Sequence, residues 1–291
     1  FNIGRAEPGT LIEEKLLETA FERHTYRHTV MGFEADVRGM PEGYDYSRQF
    51  FNAYYRPDNC AIVVVGDFDL AATKRLIRKQ YAEWEPGATA PEIPAEPAQT
   101  EVRRAAVTWP EPISPRIIVG FRTPAFSLDD TDTVALEIIR ELVFGSASPL
   151  YRRWVEETMR AHALDADAPR MVDPFLFTVE ATLKDPGDME ILRGEIYESL
   201  TTLAEELPGA AELARIQQRL RYRTALELET ASSVAYRLCQ FYNLTGDPRD
   251  IRRYFKVLQS VTPQDIRRAA QEYLTRRNSI TVTLVSEENG S

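Results

Sequence analysis

Seven prolines fall between Glu85 and Pro115, at Pro86, Pro91, Pro94, Pro97, Pro110, Pro112 and Pro115. Each removes a backbone donor and fixes φ, so no helix or central strand survives that density. From Pro86 to Gln99 the chain is Ala, Pro and Glu with almost no large apolar side chain. That is the composition of an extended, semi-rigid linker. It divides the chain into residues 1–85, a linker at 86–100 and residues 101–291. With 291 residues, 43% of them hydrophobic, there is material for more than one core.

Before the linker, Leu11–Arg23 places its apolar residues at helical spacing, and Pro41–Tyr55 contains a second helix with Tyr46, Phe50, Phe51 and Tyr54 on one stripe. Arg56-Pro57-Asp58-Asn59 stops that helix. The β-branched run Cys60–Val65 then reads as a strand buried on both faces. Asp69 can cap a helix over Leu70–Trp84. After the linker, strands are expected at Glu101–Trp109, Arg116–Phe121, Phe175–Leu183 and Ser279–Val285. Helices are expected over Thr131–Val143, Leu150–Met159, Met189–Leu207, Ala210–Glu227, Ser232–Tyr242, Ile251–Leu258 and Pro263–Leu274. Thr262 followed by Pro263 is a well-made start for the last of these.

One internal repeat stands out. Setting Asn59 against Asn278 aligns Tyr54 with Tyr273 and the run Ala61–Val65 with Ile280–Leu284. Both copies read helix, Tyr, polar turn, Asn, strand. Read as a duplication, the repeat gives one complete copy after the linker and the back end of another before it.

Composition excludes several functions. Lys and Arg total 35 against 45 Asp and Glu, a net charge of -10. Such a surface disfavours nonspecific nucleic-acid binding, which depends on neutralising phosphates. No apolar run approaches the roughly 18 to 20 residues of a membrane-spanning helix. The two cysteines, Cys60 and Cys239, are too few for a disulfide scaffold and read as buried free thiols. They leave the compartment open, periplasmic and cytoplasmic both being compatible.

Self-sufficient chemistry is hard to find. His24 and His28 stand four apart, but no carboxylate completes an H-E-x-x-H or H-x-x-E-H pattern, and the preceding helix runs out there. A loop or helix-end role is the reading for both, with a novel metal site as the rival. The third histidine, His162, stands alone, and a lone histidine is more often structural. No Gly-x-Ser-x-Gly elbow, phosphate loop or dinucleotide fingerprint is present. The acidic pairs Glu13-Glu14, Asp129-Asp130, Glu156-Glu157 and Glu205-Glu206 read as surface charge.

The run Tyr54–Asp67 resembles a recurrent stretch of the pitrilysin/insulinase-type zinc metallopeptidases, as does Ala20-Phe21 with His24-Thr25-Tyr26 and Met31-Gly32. Gly145–Tyr151 is similar to that family's small-residue turn before a helix. Val261–Ile266 followed by Tyr273 resembles its carboxy-terminal helix. The repeat offset fits that family's duplicated domain, and the resemblance implies an α+β fold of duplicated two-layer α/β domains, each an antiparallel-rich sheet covered by helices, with the first copy incomplete. It also implies a zinc-dependent endopeptidase whose H-x-x-E-H helix and third, acidic ligand lie upstream of Phe1. This chain is then expected to be a truncated or processed piece: the end of a first peptidase-type domain (1–85) and a complete second, non-metal domain (101–291).

In active members, the helix after the small-residue turn carries an Arg and, seven residues on, a Tyr that contact substrate. Here those positions hold Val155 and His162. Val cannot hold a peptide carbonyl by charge, so of the pair only His162 is kept, as a weak substrate contact. No catalytic or metal residue is expected in this segment, and zinc belongs to the full-length protein. The implied partners are a peptide or unfolded polypeptide substrate, and the missing amino-terminal portion or a catalytic partner chain. A homodimer is compatible. The expected role is substrate enclosure and domain contacts, and the rival is a structural or assembly subunit of the same fold without protease activity.

Overall fold

The computed structural model describes residues 7–87 and 91–287. Past the linker, strands β1 (Arg103–Trp109), β2 (Arg116–Thr123), β3 (Ala161–Asp167), β4 (Phe175–Leu183) and β5 (Ser279–Ser286) form one sheet in the order β1-β5-β2-β4-β3. β1 runs parallel to β5, and the other three pairings are antiparallel. β5, the last of these strands in the chain, therefore lies between β1 and β2. The expected α+β class with an antiparallel-rich sheet holds for this unit.

Alternation along the strands decides what each face meets. On one face, Ile117, Val119, Phe121, Phe177, Val179 and Ala181 point into the larger core. Helices close that core: α5 (Asp132–Phe144), α6 (Asp188–Glu205), α7 (Ala210–Leu226), α8 (Ala231–Thr245), α9 (Ile251–Ser260) and α10 (Pro263–Tyr273). Seven of the thirteen residues of α5 are buried. α10 begins at a capping box, where the Thr262 hydroxyl accepts from the Asp265 amide and the Asp265 carboxylate accepts from the Thr262 amide. Arg170 is sunk among these helices. It makes a two-pronged ion pair with Glu137 at 2.6 and 2.8 Å, and its guanidinium lies 4.2 Å from the Tyr254 ring centroid. The Tyr254 hydroxyl donates to the same carboxylate at 2.8 Å.

The opposite face is sealed from across the linker. Helix α1 (Pro8–Ala20) buries Ile12, Leu16, Leu17 and Ala20 against Ile118, Leu176, Ile280, Val282 and Leu284. Gly120 lies under this helix, where a Cβ would sit 3.4 Å from Leu16 Cδ1, about van der Waals contact. The carboxyl end of α1 meets cations, as such an end favours. Arg103 donates to the carbonyls of Thr19 and Ala20, and Arg122 to that of Ala20. Glu96 in the linker completes the strap by accepting from three consecutive amides, Glu22, Arg23 and His24, at 2.8 to 2.9 Å. Its burial opposes ionisation, but those amides and Arg122 outweigh burial and hold the carboxyl below its ordinary range.

The rest of the pre-linker region differs. It holds α2 (Glu34–Gly39), α3 (Tyr44–Tyr54) and α4 (Leu70–Tyr81), the last capped by Asp69 Oδ1 on the Ala72 amide. The repeat is visible in atoms: Asn59 Nδ2 donates to the Tyr54 carbonyl at 2.9 Å, and Asn278 Nδ2 to the Tyr273 carbonyl at 2.6 Å. A single 3-10 turn precedes each Asn–strand junction, Pro57–Asn59 in one copy and Arg276–Asn278 in the other.

Three expectations need correction. Cys60–Val65 pairs with no strand among the described residues, and Ile62 is 53% exposed, so it is not a strand buried on both faces. Cys60 and Cys239 are exposed, not buried. Cys60 lies at the start of that bare segment, and Cys239 on the outer side of α8, where Phe241 is the buried residue. Leu150–Met159 is not a plain helix. It is a helical turn, Pro149–Tyr151, that widens into a π-helix, Arg152–Glu157.

Candidate functional site

The segment from Arg152 to Ala163 concentrates the chain's backbone irregularities. The π-helix ends at Glu157, and Met159 takes φ +50, the one non-glycine residue with positive φ among the described residues. The pairing of β3 with β4 then slips between Ala161 and Ala163, which leaves His162 as the extra residue of a β-bulge. π-bulges, left-handed non-glycine residues and β-bulges each cost free energy or regular bonding, and each tends to occur where a side chain must be aimed. Here all three act on the entry to one strand, and His162 emerges exposed.

The irregular stretch is held from behind. Trp154 is buried and its Nε1 donates to Glu195 Oε2 at 2.7 Å, while Arg153 lies 3.2 Å from the other oxygen of that carboxylate. Arg160 lies over the Trp154 ring, 4.5 Å from its centroid, and forks onto Asp188, with Nε to Oδ2 at 2.9 Å. The fork holds the Asp188 carboxyl below its usual range. Val155 is half-buried against the larger core. Of the two positions aligned with a substrate-contacting pair, the structure thus turns Val155 inward and His162 outward.

β3 is also an edge. Among the described residues it pairs with β4 alone, so its other side presents backbone donors and acceptors without a strand partner. Asp165 sits directly across from Glu180 on β4. Burial raises the Glu180 carboxyl, Arg116 opposes that, and the charges of Asp165 and Glu13 push it further up. An open edge with an aimed imidazole and a row of carboxylates can add an extended peptide by main-chain hydrogen bonds. Among the described residues this edge holds no nucleophile paired with a base.

The other two histidines are spent locally. His24 is 5% exposed, its Nδ1 accepts from the Tyr26 amide at 3.0 Å, and its Nε2 lies 3.3 Å from Asp173 Oδ2. The exposed His28 bonds through Nδ1 to the Thr29 carbonyl at 2.8 Å. Among the described residues no group of three or more His, Cys, Asp or Glu could hold a metal ion. The donor set that zinc requires is therefore not offered by these residues.

Sequence reasoning reached His162 by alignment but missed its setting. β3 reads Ala-His-Ala-Leu-Asp-Ala-Asp, with a single large apolar residue, and gives almost no strand signal. The Arg160–Asp188 and Trp154–Glu195 contacts join residues 28 and 41 positions apart, which no local pattern encodes.

Residues 43–220 match the family model described as the peptidase M16 inactive domain. The chain is 26% identical over 275 residues to the zinc protease PqqE of Helicobacter pylori, covering 93% of this chain and 61% of that protein. A second relative, an uncharacterized zinc protease of Streptomyces coelicolor, is 21% identical, with 95% and 60% covered. The chain thus spans about three-fifths of the length of these curated relatives. A crystal structure of a protease from Helicobacter pylori superposes with a TM-score of 0.85 at 25% identity, over 96% of this chain and 68% of that one. A chain of Complex III2 from Candida albicans shares the fold, with a TM-score of 0.80 at 14% identity, over 98% and 68%.

Proposed function

This chain belongs to the family of peptidase M16 inactive domains, and we infer that it is the non-catalytic portion of a zinc metalloendopeptidase. Its proposed work is to enclose a peptide or unfolded polypeptide and to contact the portion that carries the metal. In this reading residues 1–85 close a first peptidase-type unit, 86–100 link, and 101–291 form the second, non-metal unit. The cleavage chemistry, in which zinc polarises the peptide carbonyl and activates water, belongs to the metal-bearing portion. What the present residues do is bind and orient.

The observation that carries the reading is the open edge of β3 with His162 aimed from its bulge. An edge strand gains affinity from main-chain bonds while reading little sequence. The exposed imidazole adds a donor or acceptor for a peptide carbonyl or amide. Holding the peptide against a second wall lowers the entropic cost of reaching the attacking geometry. The names of the relatives, zinc proteases in two bacteria, support the reaction class.

The test has two arms. The purified chain should bind no zinc stoichiometrically and cleave no peptide, and tight one-to-one zinc with turnover would refute the reading. In the longer protein containing this chain, His162→Ala should raise KM for an unstructured peptide several-fold with little change in kcat. An unchanged KM would remove His162 from the substrate contact. A longer protein with intact zinc ligands and no peptidase activity would favour the scaffold reading instead.

A further inference from the structure

On the helical side of the sheet, a cleft of about 500 Å³ opens between the end of α5, the turn at Pro149–Leu150, the second half of α6 and the start of α7. Its floor is apolar, with Leu142, Leu150, Leu203 and Leu207 among the lining residues. Its rim carries four carboxylates, Glu195, Glu198, Glu206 and Glu212, against one cation, Arg153. Arg153 is already engaged with Glu195. Glu198, Glu206 and Glu212 are exposed and have no cation within ion-pair distance among the described residues.

The backbone adds to this bias. Two helices end at the cleft: Leu142 and Val143 belong to the last turn of α5, and Thr202 and Leu203 to that of α6. Neither last turn contains a basic residue. The carboxyl end of a helix carries partial negative charge, which a Lys or Arg ordinarily meets. Here Gln271 donates to one α6 carbonyl, that of Ala204, at 2.7 Å, and Arg219 and Arg223 lie on the Glu141 carboxylate in the last turn of α5, so both ends are partly met and the exposed rim carboxylates carry most of the bias. Leu207 remains 44% exposed beside them.

We propose that this cleft docks a cationic amphipathic segment of a partner polypeptide, with Leu- or Met-class side chains on the apolar floor and Lys or Arg at the carboxylate rim. An anionic or purely apolar occupant would leave Glu198, Glu206 and Glu212 facing like charge or nothing, at the cost of their desolvation. A highly charged occupant without apolar side chains would leave the leucine floor wet. The combination selects a segment that is both basic and amphipathic. The inference stands apart from the proposed peptidase role, since the cleft lies among the helices and not along β3.

The experiment titrates the full chain with a fluorescein-labelled helical peptide of Leu and Lys at amphipathic spacing. Its comparators are the same peptide with Glu in place of Lys, and an oligolysine of equal charge. Saturable one-to-one binding of the Leu–Lys peptide is expected, weakening as salt is raised, with the oligolysine weaker and the Glu peptide inert. Glu198→Lys with Glu206→Lys should lower the affinity about tenfold, two exposed ion pairs being lost and replaced by repulsion. Glu111→Lys with Glu229→Lys, the same change in net charge on residues outside the cleft, should not. If the double reversal unfolds the chain, Glu198→Gln with Glu206→Gln is read in its place. Equal affinity for the cleft variants and wild type overturns the proposal. So does a homodimer of the chain that the cleft variants dissociate, because the occupant would then be a second copy.

Discussion

The same local unit occurs twice in this molecule, once finished and once bare. Both copies have a helix ending in Tyr, a 3-10 turn, and an Asn amide bonded back to that Tyr carbonyl. In the second copy the following strand is β5, with β1 on one side and β2 on the other, and Val282 is 0% exposed. In the first, Cys60–Val65 has no strand pairing among the described residues, and Val64 is 43% exposed. Helix, turn and side-chain clamp form from contacts within a few residues. A strand acquires its ladder and its burial only from neighbours distant in sequence. The first copy thus has the local information and lacks, among the described residues, the sheet that would use it.

The largest expected effect separates the aligned valines. Val282→Asp should cost more than about 4 kcal/mol, because it buries an unpaired carboxylate in the sheet's centre. Val63→Asp in the same chain should change stability by less than about 1 kcal/mol. Urea unfolding measures both, and comparable losses would mean that Cys60–Val65 is paired in solution. Next, Arg170→Met should cost roughly 3 kcal/mol or more by leaving Glu137 buried without its cation. Thermal unfolding checks that value, and a near-neutral result would place the stability of the finished unit elsewhere.

The Asn clamps sharpen the comparison further. Asn278 also donates to the Arg122 carbonyl at 2.7 Å, so Asn278→Ala removes two bonds. It should cost about 2 kcal/mol, against about 0.5 kcal/mol for the exposed Asn59→Ala, which removes one. Equal losses would show that the bare copy contributes as much to the global transition as the finished one.

The smallest effect is pH-dependent. Glu96 has a folded pKa below its unfolded value, so its contribution is fully present above the unfolded value of about 4.3 and is lost as pH falls through the folded one. Protection of the Glu22, Arg23 and His24 amides, taken against the intrinsic exchange rate at each pH, should fall in the wild type as pH drops through the folded pKa of Glu96. In Glu96→Gln protection should be lower at neutral pH and lack that acid step. A Glu96→Gln chain with unchanged exchange would show that the strap is not held by this carboxylate.

Much of the finished unit was legible in sequence because its signals are local. The 3.6-residue spacing of α5 and α6, the capping signature at Thr262 and the β-branched β5 each declare themselves within a short window. What stayed hidden depends on distance or irregularity. Nothing in Pro8–Ala20 says that its apolar stripe will cross the linker to cover Ile280 and Val282. The Ala- and Asp-rich β3 is a strand because β4 is beside it, and the π-helix before it lies where Trp154 and Arg160 make contacts distant in sequence. The cysteines were misjudged for a similar reason: apolar neighbours in sequence bury a thiol only when the element itself is covered. His162 was reached through resemblance to a family, and its exposure on a bulge could not have been read from the lone histidine.

The position of β5 bears on how such a chain is made. An interior strand of the sheet, β5, is the last of the five to be synthesised, so a nascent chain can join β2, β4 and β3 but leaves β1 stranded and α1 with half its bed. Until Ser279–Ser286 leave the ribosome, the apolar stripe of α1 and the flank of β2 stay open to chaperones and to neighbouring nascent chains. Late closure of that gap, more than the speed of any single helix, is where assembly of this molecule is most exposed to failure.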